Sequence, residues 1–236
     1  MRAKFQKNNF GPDLVMGILL FRRPLKITFT TELKSKVLLQ KEFKKQGDFL
    51  FLHRGSLPLV ILVAGIAVFI LTRYLGESAA FLKSDVFKYI SLAVALSGEI
   101  VRIITVGYTP ANTSGRNRFI QLADEVNTTG IYSTVRHPLY VGNFIIWLGV
   151  AMLTENGWFM LVFVLFYWIY YERIMYAEEM FLYNKFKSVY ENWADKTPAF
   201  IPSFKNYQKP QLNFSWKKVL KKEKNGISAI FALFSN

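Results

Sequence analysis

The chain has 236 residues, 52% of them hydrophobic, and carries 30 Lys and Arg against 16 Asp and Glu, a formal net charge of +14. It contains no cysteine, which excludes disulfides, thiolate metal sites and a cysteine nucleophile. Its two histidines, His53 and His137, are too few for the multi-histidine di-iron sites of membrane desaturases. The sequence also lacks the HExxH motif that is typical of a catalytic zinc site. We therefore expect no bound metal.

Apolar residues are concentrated in four long blocks rather than in periodic stripes. The blocks cover residues 57–75, 86–108, 139–154 and 158–177. A helix needs about 20 apolar residues to cross the hydrocarbon core of a bilayer, so blocks of this size are typical of membrane spans. The sequence therefore predicts an all-α, polytopic integral membrane protein with about four main transmembrane helices.

Two polar features accompany the predicted spans. Glu99 and Arg102 lie three residues apart in the second block, so they share a helix face and are expected to pair. Only Glu155, Asn156 and Gly157 separate the third block from the fourth. A connection this short predicts that the last two spans form an antiparallel helical hairpin, with their outer ends at the same membrane face.

Positive charges are distributed very unequally about the spans. Residues 1–56, 109–138 and 178–225 together carry 25 of the 30 Lys and Arg residues. Because loops rich in Lys and Arg face the cytoplasm, we expect an inner-membrane protein with both termini on the cytoplasmic side. The basic residues flank spans and no nucleic-acid-binding motif is present, so the expected partner is the membrane and not a nucleic acid.

Two regions outside the spans have patterns of their own. The apolar stretch at 14–21 is too short to cross a bilayer and is expected to lie at its interface. The loop at 107–117 is rich in hydroxyl, amide and glycine residues, which suits either an ordinary polar loop or a site for a phosphate-bearing headgroup.

The residues best suited to ligand binding or catalysis lie in two segments at the outer ends of the hairpin. Residues 130–142, GIYSTVRHPLYVG, lead into the third span, and residues 172–182, ERIMYAEEMFL, lead out of the fourth. Since the hairpin places both segments at one membrane face, we expect them to meet.

The side chains of these segments suit different parts of an amino-acid-bearing nucleotide. Arg136 and His137 donate hydrogen bonds to an anion, beside a proline that restricts the backbone. Tyr132 and Tyr140 offer rings that stack on adenine and attract a sulfonium cation. The acidic pair at 178–179 offers acceptors for an ammonium group or ribose hydroxyls.

Each of these features also has a structural interpretation. The basic turn at 136–137 could face lipid headgroups, and the acidic pair at 178–179 could end a solvated helix. Arg173 near the end of a span is a candidate functional charge, because charges there are costly, or a side chain that extends to the cytoplasmic interface.

The pattern as a whole resembles the isoprenylcysteine carboxyl methyltransferase and phospholipid methyltransferase superfamily. The likeness rests on GxYxxxRHPxYxG, an apolar hairpin, ExxxxxEExxL and a TPxFIP tail, which here is TPAFIP at 197–202. It covers about residues 124–204, with order, spacing and membrane placement in agreement.

The resemblance implies a cofactor pocket at the cytoplasmic face, closed off from water, with a lipid acceptor that enters sideways from the bilayer. Its implied S-adenosylmethionine contacts are Tyr132, His137, Pro138, Leu139, Tyr140 and Glu178, with Val126 and Asn127 bordering the adenine. The implied residue facing the acceptor is Arg173, and Arg136 and Glu179 complete the catalytic candidates. The chain then divides into a basic cytoplasmic or interfacial segment (1–56), a membrane methyltransferase domain (57–204) and a basic tail with a short apolar end (205–236).

The expected function is S-adenosylmethionine-dependent methyl transfer to a lipid or lipidated small-molecule acceptor in the membrane. A carboxylate or phosphate acceptor is favoured, because it is already ionised and needs no general base, whereas an amine would require one, with Glu179 or His137 as candidates. Two alternatives remain. One is an NADPH-dependent sterol-type reductase, whose family has a similar RHPxYxG element with an amide or acid nearby, here Asn143. The other is a non-catalytic lipid-binding membrane protein.

Overall fold

The computed structural model describes residues 38–76, 80–110 and 123–234, in two compact units of residues 1–43 and 44–236. Residues 38–43, the described part of the smaller unit, are helical. The apolar stretch at 14–21 and most of the polar loop at 107–117 lie outside the described residues. The rest of the description concerns the larger unit.

Regular structure in the described part of the larger unit is helical, apart from one isolated antiparallel bridge between Gly130 and Gln208. The all-α class is therefore confirmed. The helices are α1 (44–53), α2 (Leu57–Leu75), α3 (Asp85–Tyr108), α4 (Pro138–Met152), α5 (Gly157–Phe186), α6 (Ser188–Ala194) and α7 (Trp216–Phe234).

Two of the described helices, α3 with 24 residues and α5 with 30, are long and apolar enough to cross a bilayer. Helices α2 and α4 are apolar but shorter over their described residues. Large apolar side chains on α2 and α5 are more than half exposed, which is the pattern of a surface that contacts lipid: Leu59, Val63, Ile70, Val162 and Leu165. The membrane character of the chain agrees with the sequence, and the number of four spans stays a prediction.

The helical hairpin of α4 and α5 is confirmed. The Asn156 side chain caps α5 by accepting from the Phe159 N–H at 2.9 Å, and its amide donates to the Thr72 hydroxyl of α2 at 3.1 Å. Further along the hairpin, the Tyr167 hydroxyl donates to the Tyr140 carbonyl at 2.8 Å. Helix α5 contains the predicted span at 158–177 and continues to Phe186, so the acidic pair at 178–179 is helical.

Helices α3 and α4 approach so closely that their backbones touch through small residues. A Cβ atom at Gly98 would lie 2.6 Å from the Ile146 nitrogen and 2.7 Å from the Gly142 carbonyl oxygen. A Cβ atom at Gly149 would lie 2.6 Å from the Ser91 carbonyl oxygen. Glycine is therefore required by the proximity of the two helices, which is a common basis for helix packing in membranes.

We expect Gly98→Val to destabilise the protein by about 1–3 kcal/mol, the usual effect of overpacking a close interface. The thermal unfolding midpoint of the detergent-solubilised protein measures this loss. Gly157→Val is the matched control, because a Cβ atom there would meet nothing within 4 Å. Equal midpoints for the two variants would contradict the close packing of α3 against α4.

The expected pairing of Glu99 with Arg102 is present only as an electrostatic interaction, because neither Glu99 oxygen accepts a hydrogen bond from Arg102. The Arg102 guanidinium instead binds Glu223 of α7, with its Nη2 2.7 and 2.9 Å from the two carboxylate oxygens, and donates to the Asn143 amide oxygen at 2.5 Å. A planar guanidinium binds two oxygens of one carboxylate better than a single oxygen on its own helix, which explains the choice of partner. Helix α7 is thereby held against α3, and both Glu99 oxygens are buried without a hydrogen-bond partner among the described residues.

Candidate active site

The segment that leads into α4 begins with a tight turn at Gly130. Gly130 has φ +62° and ψ −134°, a conformation that only glycine adopts without strain. Its N–H donates to the Gln208 carbonyl at 3.0 Å, and the Gln208 N–H donates to the Ser133 hydroxyl at 2.9 Å. The turn therefore ties the motif to the chain after α6, and the Ile131–Ser133 3₁₀ turn follows it.

The tail at 197–202 holds the Arg-His-Pro sequence by backbone hydrogen bonds. The Arg136 N–H donates to the Pro198 carbonyl at 2.9 Å, and the His137 N–H donates to the Ala199 carbonyl at 3.3 Å. Next to these contacts in the sequence, the Phe200 ring packs edge-on against Phe144 of α4 and Trp168 of α5. The tail thus fixes the position of residues 136–137 relative to the hairpin.

Five side chains from α4, α5 and the turn before α4 form one polar cluster, which we call the RHE cluster: Arg136, His137, Tyr140, Glu178 and Glu179. His137 Nε2 lies 2.9 Å from one Glu179 oxygen, and Arg136 Nη1 lies 3.2 Å from the other. The Tyr140 hydroxyl donates to Glu178 at 2.7 Å, and His137 Nδ1 lies 3.7 Å from the second Glu178 oxygen. The hairpin therefore brings the two polar segments together, as the sequence predicted.

The RHE cluster is neither fully buried nor fully exposed. The His137 side chain is 7% exposed, whereas the two glutamates remain 26% and 24% exposed. Arg136 Nε and the Tyr190 hydroxyl are both buried, and the two side chains interact with each other. A guanidinium that is 21% exposed beside two partly accessible carboxylates is suited to a polar ligand.

Two tyrosines border the cluster. Removal from water raises the pKa of Tyr132 above its ordinary value, the nearby Glu178 charge adds to the rise, and a hydrogen bond with Thr109 opposes it. Burial likewise raises the pKa of Tyr190, with a further contribution from Glu179. Both hydroxyls therefore keep their protons at neutral pH and are available as hydrogen-bond donors.

The other residues that the sequence assigned to the cofactor are buried or partly buried in the structure. Pro138 is buried at the start of α4, and Leu139 beside it is partly buried. Val126 and Asn127 are partly buried in the irregular segment 123–130. That segment is attached to α5 by a hydrogen bond from the Lys185 ammonium to the Ala123 carbonyl.

Arg173 projects from a different side of α5. Five residues of α-helix correspond to a rotation of about 140°, so Arg173 and Glu178 do not share a face. The Arg173 Nε donates to the Gln46 side chain of α1 at 3.3 Å, and its Nη1 pairs with Glu172 at 2.7 Å. Its assignment to the acceptor therefore stays a prediction.

The sequence did not single out several residues that complete the site. The Trp193 indole of α6 donates to the Tyr132 carbonyl at 3.0 Å, and Tyr190 lies beside Arg136. Arg54, in the turn before α2, interacts electrostatically with Tyr140 and Glu178. An aromatic-rich helix after the acidic pair was a visible signal for α6, but nothing in the sequence around Arg54 linked it to the motifs.

Comparison with known proteins gives these features a family. A family model described as phospholipid methyltransferase matches residues 87–189. A probable protein-S-isoprenylcysteine O-methyltransferase of Oryza sativa subsp. indica is 31% identical over 144 residues, which cover 57% of this chain and 72% of the relative. The chain belongs to the isoprenylcysteine carboxyl methyltransferase and phospholipid methyltransferase superfamily.

Two further members of the superfamily are similar to parts of the chain. The protein-S-isoprenylcysteine O-methyltransferase of Schizosaccharomyces pombe is 43% identical over 75 residues, 32% of each chain, so this chain spans about a third of that relative's length in the match. A solved structure of a eukaryotic intramembrane Ras methyltransferase, isoprenylcysteine carboxyl methyltransferase, is similar over 64% of this chain and 53% of its own, with a TM-score of 0.47 and 24% identity.

The family model matches only part of this fold. Residues 87–189 run from the start of α3 to the start of α6, so the match contains the whole RHE cluster. The tail at 197–202, helix α7 and Arg54 lie outside it. The contacts that the tail, α7 and Arg54 make with residues 87–189 are therefore known from this structure and not from the family match.

Proposed function

We propose that this chain is a membrane methyltransferase that uses S-adenosylmethionine to methylate a carboxylate or phosphate oxygen on a lipid or lipidated acceptor. The observation that carries the proposal is the RHE cluster, in which the two polar segments meet at one end of the α4–α5 hairpin. Membership of the superfamily supports the methyl-transfer chemistry.

The residues present fit S-adenosylmethionine. Arg136, whose side chain is 21% exposed within the cluster, would bind the carboxylate of the methionine moiety. Glu178 and Glu179 remain partly exposed and would accept from its ammonium group or ribose hydroxyls. The rings of Tyr132 and Tyr140 would stack on adenine or lie beside the sulfonium. Val126, Asn127, Pro138 and Leu139 would border the ligand.

Bound S-adenosylmethionine would supply an electrophilic methyl group on a positively charged sulfur. An acceptor oxygen that is already ionised would take this methyl group without a proton transfer, so the chain would not need to supply a general base. The task of the chain is to hold the acceptor in line and to exclude water. His137 lies between Glu178 and Glu179, which makes it a positioning group rather than a required base.

The acceptor is proposed to reach the site from the bilayer. The exposed apolar surfaces of α2 and α5 are suited to lipid contact, and the relatives named above are protein-S-isoprenylcysteine O-methyltransferases. An isoprenylated cysteine carboxylate combines an apolar chain with an anionic oxygen and is therefore the first acceptor to test. We further propose that the RHE cluster faces the cytoplasm, in a four-span arrangement with both termini on that side.

Asn143 does not support the sterol-type reductase alternative. Its amide oxygen accepts from Arg102 at 2.5 Å, so the group on which that alternative depended is engaged with α3. A reductase would nevertheless bind NADPH, and a non-catalytic lipid-binding protein would bind neither nucleotide. The identity of the stabilising nucleotide therefore separates the three functions.

We expect S-adenosylmethionine, and not NADPH, to raise the thermal unfolding midpoint of the purified protein. A ligand at 100 times its dissociation constant stabilises the folded state by about 2.7 kcal/mol, which is readily measured. The measurement is a thermal scan in detergent with each nucleotide at matched concentrations. Stabilisation by NADPH alone would favour the reductase, and stabilisation by neither would contradict the proposed cofactor.

A further inference from the structure

A guanidinium from the turn between α1 and α2 is packed inward beside the proposed site. His53, Gly55 and Ser56 in this turn are exposed, whereas Arg54 is partly buried. Its Nη1 donates to the Phe51 carbonyl at 3.1 Å, and its Cζ lies 3.6 Å from the centroid of the Phe51 ring. An arginine at the end of a membrane helix ordinarily extends its head to water, so an inward position indicates a specific role.

Phe51 connects this turn to the RHE cluster through aromatic side chains. It is 6% exposed and belongs to the same buried cluster as Tyr171, whose ring centroid lies 4.9 Å from that of Tyr140. Tyr140 in turn donates to Glu178. The charge of Arg54 also interacts electrostatically with both Tyr140 and Glu178. Arg54 therefore borders the proposed site on its α1 side.

The cations within the RHE cluster are already engaged. Arg136 and His137 both contact Glu179, and His137 also lies near Glu178. An acceptor that enters from the bilayer brings a further negative charge into a place with little water. Such a charge is costly unless a cation compensates it. A site that holds the cofactor with Arg136 thus needs a second cation for the acceptor.

We propose that Arg54 binds the anionic oxygen group of the methyl acceptor and thereby selects acidic acceptors. The inference rests on the proposed function. A guanidinium can hold two oxygens of one carboxylate or phosphate, and the Phe51 ring against its face limits its rotation. Arg54 takes the role that the sequence assigned to Arg173, which lies on another face of α5 and contacts Gln46 and Glu172.

Equilibrium binding to the purified full-length chain in lipid nanodiscs tests this role. The probes form two pairs with one apolar chain each: N-acetyl-S-farnesylcysteine with its carboxamide, and farnesyl phosphate with farnesol. We expect the chain to bind the acidic probe of at least one pair more tightly than its neutral partner. The pair that shows this preference identifies the acceptor anion as a carboxylate or a phosphate. In Arg54→Gln the affinity for that acid should fall about tenfold to a hundredfold, the range of a charge-assisted hydrogen bond, while the neutral probe is unaffected.

Three further variants sharpen the result. Arg54→Lys should show more of the preference for acids than Arg54→Gln, because lysine keeps the positive charge but cannot bind two oxygens at once as a guanidinium does. Lys44→Gln, which removes an α1 cation paired with Asp48, is the matched control and should keep the preference. Loss of the preference in Arg173→Gln but not in Arg54→Gln would overturn the proposal, as would equal weakening of acid and neutral probes.

The binding readout also separates this inference from the proposed function. If the wild-type chain transfers methyl groups and Arg54→Gln binds acids as the wild type does, only the role of Arg54 fails. If no methyl transfer occurs but the acid preference depends on Arg54, the proposed function fails and Arg54 remains an anion-binding residue. If the wild type prefers neither acid, the role of Arg54 is wrong.

Discussion

Replacing His137 with alanine is expected to weaken S-adenosylmethionine binding by about 1.5–3 kcal/mol, which is more than tenfold in affinity. The imidazole lies 2.9 Å from Glu179 and 3.7 Å from Glu178, and it is 7% exposed. Its loss removes the one group that contacts both carboxylates, so the ammonium and ribose partners proposed for them are misplaced. Isothermal titration of the purified variant measures the change.

The second histidine of the chain provides a matched control. His53 is exposed, and its Nδ1 contacts only its own helix, at the Phe49 carbonyl, in the described hydrogen bonds. We expect His53→Ala to bind S-adenosylmethionine within about twofold of the wild type, because no proposed ligand contact is removed. Equal losses in the two variants would mean that the effect arises from folding and not from recognition.

Replacing Arg102 with alanine is expected to destabilise the protein by about 3–5 kcal/mol, the usual effect of removing one partner from a buried ion pair. Glu223 is 3% exposed at its side chain and would lose all three of its hydrogen bonds from the guanidinium. Glu99, whose oxygens already lack hydrogen-bond partners among the described residues, lies close to the same place on α7, 3.4 Å from the position of a Cβ at Gly226. Thermal and denaturant unfolding in detergent measure the loss.

Two comparisons show whether burial is the cause. Arg73→Ala removes an ion pair with Glu155 in which the arginine side chain is 52% exposed, and exposed pairs contribute about 0–1 kcal/mol. A double variant, Arg102→Met with Glu223→Met, should recover much of the stability, because no uncompensated carboxylate remains. If Arg102→Ala were as stable as Arg73→Ala, the ion pair would not be what holds α7 against α3.

The parts of the site that were predictable from the sequence are those specified by local pattern. The short turn at 155–157 predicts the hairpin, and the hairpin alone brings Arg136, His137, Glu178 and Glu179 to one end. Side-chain types then indicate which part of a ligand each residue suits. Helix periodicity and loop length determine these features locally, whatever the rest of the chain does.

The remaining parts depend on contacts between segments that are distant in the sequence. Arg102 forms hydrogen bonds with Glu223, which is 121 positions away in the sequence, and not with Glu99 on its own helix. The tail at 197–202 was recognised as part of a motif, but its backbone hydrogen bonds with Arg136 and His137 have no sequence signal. The positions of Arg54 and Arg173 relative to the RHE cluster depend on how distant segments pack, which composition and spacing do not determine.

The central claim is that the chain transfers a methyl group to an anionic oxygen on a membrane acceptor. Membranes that contain the wild-type protein are incubated with methyl-labelled S-adenosylmethionine, and His137→Ala membranes serve as the control. The extracted lipid is then hydrolysed in base and volatile label is collected. A carboxyl methyl ester releases labelled methanol, a phosphate methyl ester is more resistant and an N-methyl group is not released. We expect label in the lipid fraction, reduced more than tenfold in the control and recovered from an ester. Label recovered only as an N-methyl headgroup, or no label above that of the control, would contradict the account.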